Sequence, residues 1–379
     1  MISVGVVGAG AMGSGIAQIA AQNGHQVYIY DTQAAGLERS EKGLVKILNR
    51  LEEKGKISSA KEVLGRIHFA DNLKQLADCG LVIEAIVENL DAKKSVFQLL
   101  ESMLSAEAIL ATNTSSLSIA SISAAVERPE RVLGIHFFNP APLMPLVEII
   151  PSLTTSDEVT QHAKDLIDSW GKSTVIAKDT PGFIVNRVAR PFYSESIKML
   201  EEGVADMATI DWALEEIGGF RMGPFKLMDL IGHDVNYVVT ETVWTQFYYD
   251  PRFKPSITQK RLLEAGLLGR KAGRGFYSYA EGAAQPEPNT DPSLGEYIVN
   301  RVLALLINEA YDAVFMQIGT ETDVDIAMTK GVNYPKGLLA WSREIGPSVV
   351  LERLQALYGE FQDDRYRPNP LLKKVAAND

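Results

Sequence analysis

Five histidines stand in the sequence, at 25, 68, 136, 162 and 233, and His136 is the one placed to do chemistry. It ends the apolar run Leu133-Gly134-Ile135 and opens onto an irregular stretch, Phe137-Phe138-Asn139-Pro140. Imidazole ordinarily exchanges its proton near neutral pH, which makes it the commonest general base. Twelve residues later Glu148 lies inside a second apolar run, Leu146–Ile150, and Pro140, Pro142 and Pro145 fall between. A chain reversal centred near Pro142 sets the two side chains opposite one another, and a buried carboxylate needs such a partner. The acid would orient the imidazole and stabilise its charged form. A purely structural buried pair is the competing interpretation.

A base of this kind needs an electron acceptor or a reactive group beside it, and the N-terminus offers the first. Gly8-Ala9-Gly10-Ala11-Met12-Gly13 follows the apolar run Val4–Val7 and opens a helical pattern that reaches Ala21. Gly8 permits a tight turn, Gly10 lets backbone approach a pyrophosphate, and Gly13 allows close helix–strand packing. The helix N-terminus supplies unpaired N–H groups for phosphates. Asp31 ends the next apolar run, Val27–Tyr30, 18 residues after Gly13, where a carboxylate accepts ribose hydroxyls. It would repel a 2′-phosphate, and Thr32-Gln33 offers no Arg to offset it, so NAD is expected rather than NADP.

These residues must be positioned by alternating strands and helices. Further apolar runs at 81–86, 109–111 and 132–135, with helical patterning over 35–53, predict a doubly wound, mostly parallel sheet. In such sheets the carboxyl ends of the strands face the ligand crevice, where His136 and the polar run Asn113-Thr114-Ser115-Ser116 would both sit. From Pro181 the pattern turns helical, with Asp179-Thr180-Pro181 reading as a helix start and the helix running to about Glu202. Asn186 falls among apolar neighbours there, and its amide wants a hydrogen-bond partner in substrate or backbone.

The polar stretch Glu281–Thr290 reads as a linker, and the segment beyond it repeats the one before. Ile-Val-Asn-Arg-Val at 184–188 recurs at 298–302, and Glu195, Asp211, Ala213, Gly223 and Ile231-Gly232 find identical residues in the same register. The expected layout is 1–180 for the cofactor domain, 181–281 for a helical domain, 282–290 for the linker and 291–379 for a second helical copy.

The totals set bounds on this scheme. With 46% hydrophobic and 22% charged residues, 379 residues form an ordinary globular chain with more than one domain. A net charge of −11 argues against nucleic acid or an anionic membrane as partner unless basic residues cluster locally. Cys79 is alone, so no intrachain disulfide forms, which suits a reducing cytoplasm; a buried, inert thiol is expected. No signal or transit peptide is expected, because removing one would destroy the first strand. No metal site is expected either.

The segments VGAGAMGSGIA, VIEAIVENL, ATNTSSLSI, GIHFFNPAPLMPLVEII, KDTPGFIVNR, MGPFKLMDLIG and GRKAGRGFYSY resemble the L-3-hydroxyacyl-CoA dehydrogenase family over roughly residues 1–280. The resemblance implies a Rossmann domain followed by helical domains, and oxidation of a short 3-hydroxyacyl thioester of coenzyme A. It makes His136 the base, Glu148 its acidic partner, and Ser115 and Asn186 the contacts to the substrate's reacting end. It places Glu88, Lys93, Asn113 and Asn139 around the nicotinamide half of NAD, with Lys271 near. Coenzyme A would meet Lys46, Lys54 and Lys56, among which Glu52 and Glu53 weaken the field. The chain departs from the family's short forms in its second helical copy, which carries no His–Glu pair. That copy is expected to be structural, supplying within one chain the contact that short forms make by dimerising.

Overall fold

The structure, a computed structural model, describes all residues from Met1 to Asp379 and forms two compact units, Met1–Thr180 and Pro181–Asp379. No helix is long and apolar enough to cross a membrane.

The first unit holds strands β1 (Ser3–Val7), β2 (Gln26–Tyr30), β3 (Ile67–Ala70), β4 (Leu81–Glu84), β5 (Ile109–Thr112), β6 (Val132–Phe137), β7 (Leu146–Pro151) and β8 (Ser173–Ile176). They form one sheet in the order 3-2-1-4-5-6-7-8, parallel throughout except for the β6–β7 pair. Helices α1 (Ala11–Gln22), α2 (Ala34–Glu53), α3 (Ala60–Leu64), α4 (Leu90–Glu101), α5 (Ile119–Ser123) and α6 (Asp157–Ser169) make the connections. The chain leaves β1 toward β2 and β3, then crosses back to β4 on the other side of β1. That reversal opens a crevice at the carboxyl ends of β1 and β4.

Side chains alternate across each strand. Val4, Val6, Leu81, Ile83, Ile109 and Ala111 enter the apolar layer that contains Ile16 and Leu44. Val7, Val82 and Leu110 enter the opposite layer with Phe97 and Leu100 of α4. The same alternation turns Glu84 and Thr112, the last residues of β4 and β5, toward α4. Strands β3 and β8 were not anticipated; each has only four residues, and half of each is exposed or half-exposed.

The second unit is helical: α7 (Val185–Val188), α8 (Arg190–Glu201), α9 (Met207–Trp212), α10 (Pro224–Ile231), α11 (His233–Gln246), α12 (Ile257–Glu264), α13 (Pro292–Phe315), α14 (Glu321–Gly331), α15 (Leu338–Ile345), α16 (Pro347–Phe361) and α17 (Pro370–Ala376). The expected helix start at Pro181 is displaced to Val185, because Gly182 and Phe183 take left-handed φ angles of 75° and 47°. Asp179, the first residue of that expected start, accepts the amides of Ile119 (3.0 Å) and Ala120 (2.7 Å) and so caps α5. The stretch before α13 has no helix or strand, and the residues on both sides of it belong to one compact unit. Helix α13 packs along α8, and Arg301 on α13 reaches Glu195 on α8 at 2.5 Å with both side chains buried.

Candidate active site

His136 and Glu148 are register partners across the antiparallel β6–β7 pair. His136 Nδ1 lies 2.8 Å from Glu148 Oε2; the residues are 5% and 0% exposed. With Nδ1–H donating to the carboxylate, Nε2 is the nitrogen able to take a proton. The Phe138 ring packs on the imidazole at 4.5 Å between centroids. The loop joining the pair is gripped by Lys172, whose ammonium donates to the carbonyls of Ala141 (2.7 Å) and Met144 (2.8 Å). Burial pushes the Lys172 ammonium below its ordinary range. No sequence signal marked this clamp.

A chain of charge runs from the sheet core to the serine loop. Glu84, fully buried, accepts from Lys93 Nζ (2.7 Å), Thr112 Oγ1 (2.7 Å) and the Ile86 amide (2.7 Å). Lys93 is only 1% exposed and lies 3.3 Å from Glu88 Oε2. Glu88 Oε1 accepts from Thr114 Oγ1 (2.6 Å), the Ser115 amide (3.0 Å), and the amide and hydroxyl of Ser116 (3.2 and 3.0 Å). Partial burial raises the affinity of Glu88 for a proton, but the Lys93 charge and these hydrogen bonds outweigh it and hold the carboxyl below its usual range. The Lys93 ammonium, expected near the nicotinamide half of the cofactor, stands between two carboxylates of the protein, Glu84 and Glu88. Asn113 accepts the Phe137 amide at 2.9 Å, which ties the serine loop to the strand carrying His136. Asn139 is exposed at the cis Asn139–Pro140 bond.

At the glycine turn, Gly8 takes φ +109°, and a Cβ on Gly13 would meet the Gly8 carbonyl oxygen at 1.8 Å. A Cβ on Gly10 would meet no protein atom within 4 Å, so that glycine faces open space of the kind a pyrophosphate fills. Helix α1 follows Gly10 at its N-cap with no side-chain cap and no acid in its first turn, leaving its N–H groups for phosphate oxygens. Met12 is half-buried beside them. Asp31 accepts the Ala9 amide (2.8 Å) and the Gln33 amide (2.9 Å), one on each oxygen, and each oxygen keeps lone-pair capacity for a ribose hydroxyl. These residues fit a dinucleotide without a 2′-phosphate.

Of the remaining expected residues, Lys46 lies exposed on α2, and Lys54 and Lys56 are exposed just beyond its end. None of the three has an ion-pair partner. In the helical unit Asn186 is half-buried on α7, and Lys271 is held by Asp234 at 2.5 Å. Cys79 is buried, and burial with the nearby Asp78 charge pushes its thiol up to about 12.

Comparison with known proteins matches residues 3–180 to the family model described as 3-hydroxyacyl-CoA dehydrogenase, NAD binding domain. Residues 182–279 and 297–379 match 3-hydroxyacyl-CoA dehydrogenase, C-terminal domain. The chain is 36% identical to 3-hydroxyadipyl-CoA dehydrogenase of Escherichia coli K12, over 99% of this chain and 97% of that protein. A crystal structure of 3-hydroxybutyryl-CoA dehydrogenase from E. coli K12 superposes with a TM-score of 0.95 at 36% identity, covering 100% of this chain and 98% of the other. The shorter (S)-3-hydroxybutyryl-CoA dehydrogenase of Ralstonia eutropha matches 74% of this chain and all of its own length, with a TM-score of 0.72 and 37% identity.

Proposed function

The chain belongs to the 3-hydroxyacyl-CoA dehydrogenase family, and from that premise we propose which residues perform the oxidation and on what substrate. It is an NAD-dependent dehydrogenase that interconverts (S)-3-hydroxyacyl-CoA and 3-ketoacyl-CoA. When bound, the nicotinamide supplies the acceptor for the hydride leaving C3. His136 Nε2 takes the hydroxyl proton as the hydride departs and returns it in the reductive direction. Glu148 holds Nδ1–H and offsets the charge the imidazole gains. Ser115 and Asn186 hold the C3 oxygen or the thioester carbonyl, fixing the face presented for transfer. Glu88, Asn113, Asn139 and Lys271 border the nicotinamide half, with Lys93 acting through Glu88. Lys46, Lys54 and Lys56 meet the coenzyme A phosphates.

The observation that carries this assignment is the 2.8 Å His136–Glu148 pair at the carboxyl end of β6, in a sheet whose first turn fits a dinucleotide. The substrate is a short acyl group such as 3-hydroxybutyryl. The full-length 3-hydroxyadipyl-CoA relative favours a second reading, a six-carbon acyl group ending in a carboxylate. Adding acetoacetyl-CoA to enzyme and NADH should bleach the NADH absorbance, while acetoacetate alone should not. Equal rates with the free acid would place the protein in a sister class that ignores coenzyme A. The lone buried thiol suits a reducing compartment, and the enzyme is assigned to the cytoplasm.

The helical unit is read as a duplicated domain that makes an internal pseudo-dimer. Support comes from a constant offset of 114 residues. Left-handed residues Gly203, Gly219, Gly232 and Tyr248 have left-handed counterparts in Gln317, Asn333, Gly346 and Gln362. Asp211 caps α10 through the Phe225 and Lys226 amides, as Asp325 caps α15 through Leu339 and Ala340. Arg187 stacks on Phe247 and pairs with Glu309; Arg301 stacks on Phe361 and pairs with Glu195. Such reciprocal contacts are what a two-fold interface requires.

A further inference from the structure

Lys172 stands just before β8, outside the β6–β7 hairpin, yet its ammonium closes the loop of that hairpin. The loop first folds on itself, with the amides of Leu143 (2.9 Å) and Met144 (3.0 Å) donating to the Pro140 carbonyl. Lys172 Nζ then bridges the carbonyls of Ala141 and Met144, at 2.7 and 2.8 Å. The side chain is half-buried, no carboxylate pairs with it, and burial works against its charge. A cation in that position is costly unless strong hydrogen bonds offset the lost water, and here two backbone carbonyls do so.

Two contacts give the loop its bearing on the chemistry. At its start the Phe138 ring packs on the His136 imidazole, 4.5 Å between centroids. At its middle the loop lies against α1, where a Cβ on Gly15 would come within 3.0 Å of Pro142 Cδ and 3.2 Å of Ala141 Cβ. Helix α1 is the one whose N-terminus fits the pyrophosphate. The loop therefore connects the base to the helix that seats the cofactor, and all of these residues belong to the first unit. Reacting groups tolerate little misplacement, since an error of about 1 Å costs on the order of 10²-fold in rate. We propose that Lys172 is a positioning residue for hydride and proton transfer: by bridging Ala141 and Met144 it fixes the loop that sets His136 and Asn139 relative to the cofactor seated at α1. This rests on the assignment of His136 as the base and of Asn139 to the nicotinamide half. Lys172 itself acts through the loop.

The test is Lys172→Cys, assayed before and after aminoethylation of the new thiol, with the modification confirmed by mass. Aminoethylation returns an ammonium at the same reach, with sulfur in place of one methylene. Cys79, the only native thiol, is buried and pushed up to about 12, which keeps it out of the reaction. With acetoacetyl-CoA and NADH, Lys172→Cys should lose about 10–10²-fold in kcat, and aminoethylation should restore most of it. NADH should bind the unmodified variant more weakly, while ADP-ribose, which lacks the nicotinamide, binds as it does to wild type. Simple loss of packing would weaken both ligands alike, and an ammonium would not repair it. If Lys172→Cys does not fold, Gly15→Ala decides: its methyl group pushes on Ala141 and Pro142, and kcat should fall by about 10-fold with ADP-ribose binding kept. A wild-type kcat in the variant that decides, or a loss in Lys172→Cys that aminoethylation leaves unrepaired, overturns the proposal. Failure of the wild type to oxidise NADH with acetoacetyl-CoA would instead sink the dehydrogenase assignment itself, so the two failures are distinct.

Discussion

At the scale of single residues, the His136–Glu148 pair was legible because both members lie on adjacent strands of one hairpin. The twelve-residue spacing and the three intervening prolines already imply the reversal that pairs them. The Glu84–Lys93–Glu88 chain was not. It joins the end of a strand to the side of a helix, and nothing in the local pattern says that an ammonium nine residues on turns inward. Similarity to a family supplied Lys93 as a residue near the cofactor; its pairing with Glu84 and Glu88 is visible only in the folded chain. A pH test follows from the lowered proton affinity of Glu88. A carboxyl depressed in the folded state stabilises above its unfolded value, near 4.5, and that stabilisation is lost as pH falls below it. The melting temperature of the wild type should therefore exceed that of Glu88→Gln at pH 6–7, with the gap closing as pH falls below 4.5. A gap independent of pH would mean that Glu88 is not ionised against Lys93 and the serine loop.

At the scale of elements, the glycine turn separates folding from binding. A Cβ on Gly13 would run into the Gly8 carbonyl, whereas one on Gly10 would enter open space. Gly13→Ala should fail to fold or melt far below wild type. Gly10→Ala should melt like wild type yet lose NADH affinity, read by fluorescence titration. Unaltered NADH binding in Gly10→Ala would remove the pyrophosphate from this turn. The sequence misplaced the helix after Pro181 for a related reason. Its capping signature is real, but Asp179 spends its carboxylate on α5, and Gly182 and Phe183 delay the helix by a turn. A cap motif says which side chain can accept amide hydrogens; tertiary packing decides whose amides they are.

At the scale of the whole molecule, the repeat at offset 114 was visible in identical residues, but its consequence was not. The sequence pattern suggested two helical domains, whereas residues 181–379 form one unit around buried reciprocal ion pairs. Position 229 and the position 114 residues later carry opposite charges. Asp229 accepts the Phe276 and Tyr277 amides and so anchors the loop bearing Lys271, while its counterpart at 343 is Arg, paired with Glu321. If the helical unit is an internal pseudo-dimer, as proposed, sedimentation equilibrium should give the monomer mass of 41.5 kDa. A dimer joined through α8 would contradict the pseudo-dimer reading.

The account as a whole turns on proton transfer by one imidazole. The direct measurement is turnover of His136→Gln with acetoacetyl-CoA, alongside its NADH affinity. With NADH binding retained, kcat should fall by about 10²–10⁴-fold, the usual contribution of a positioned acid–base group. A variant that binds NADH and turns over within a few-fold of wild type would show that the proton moves by another route.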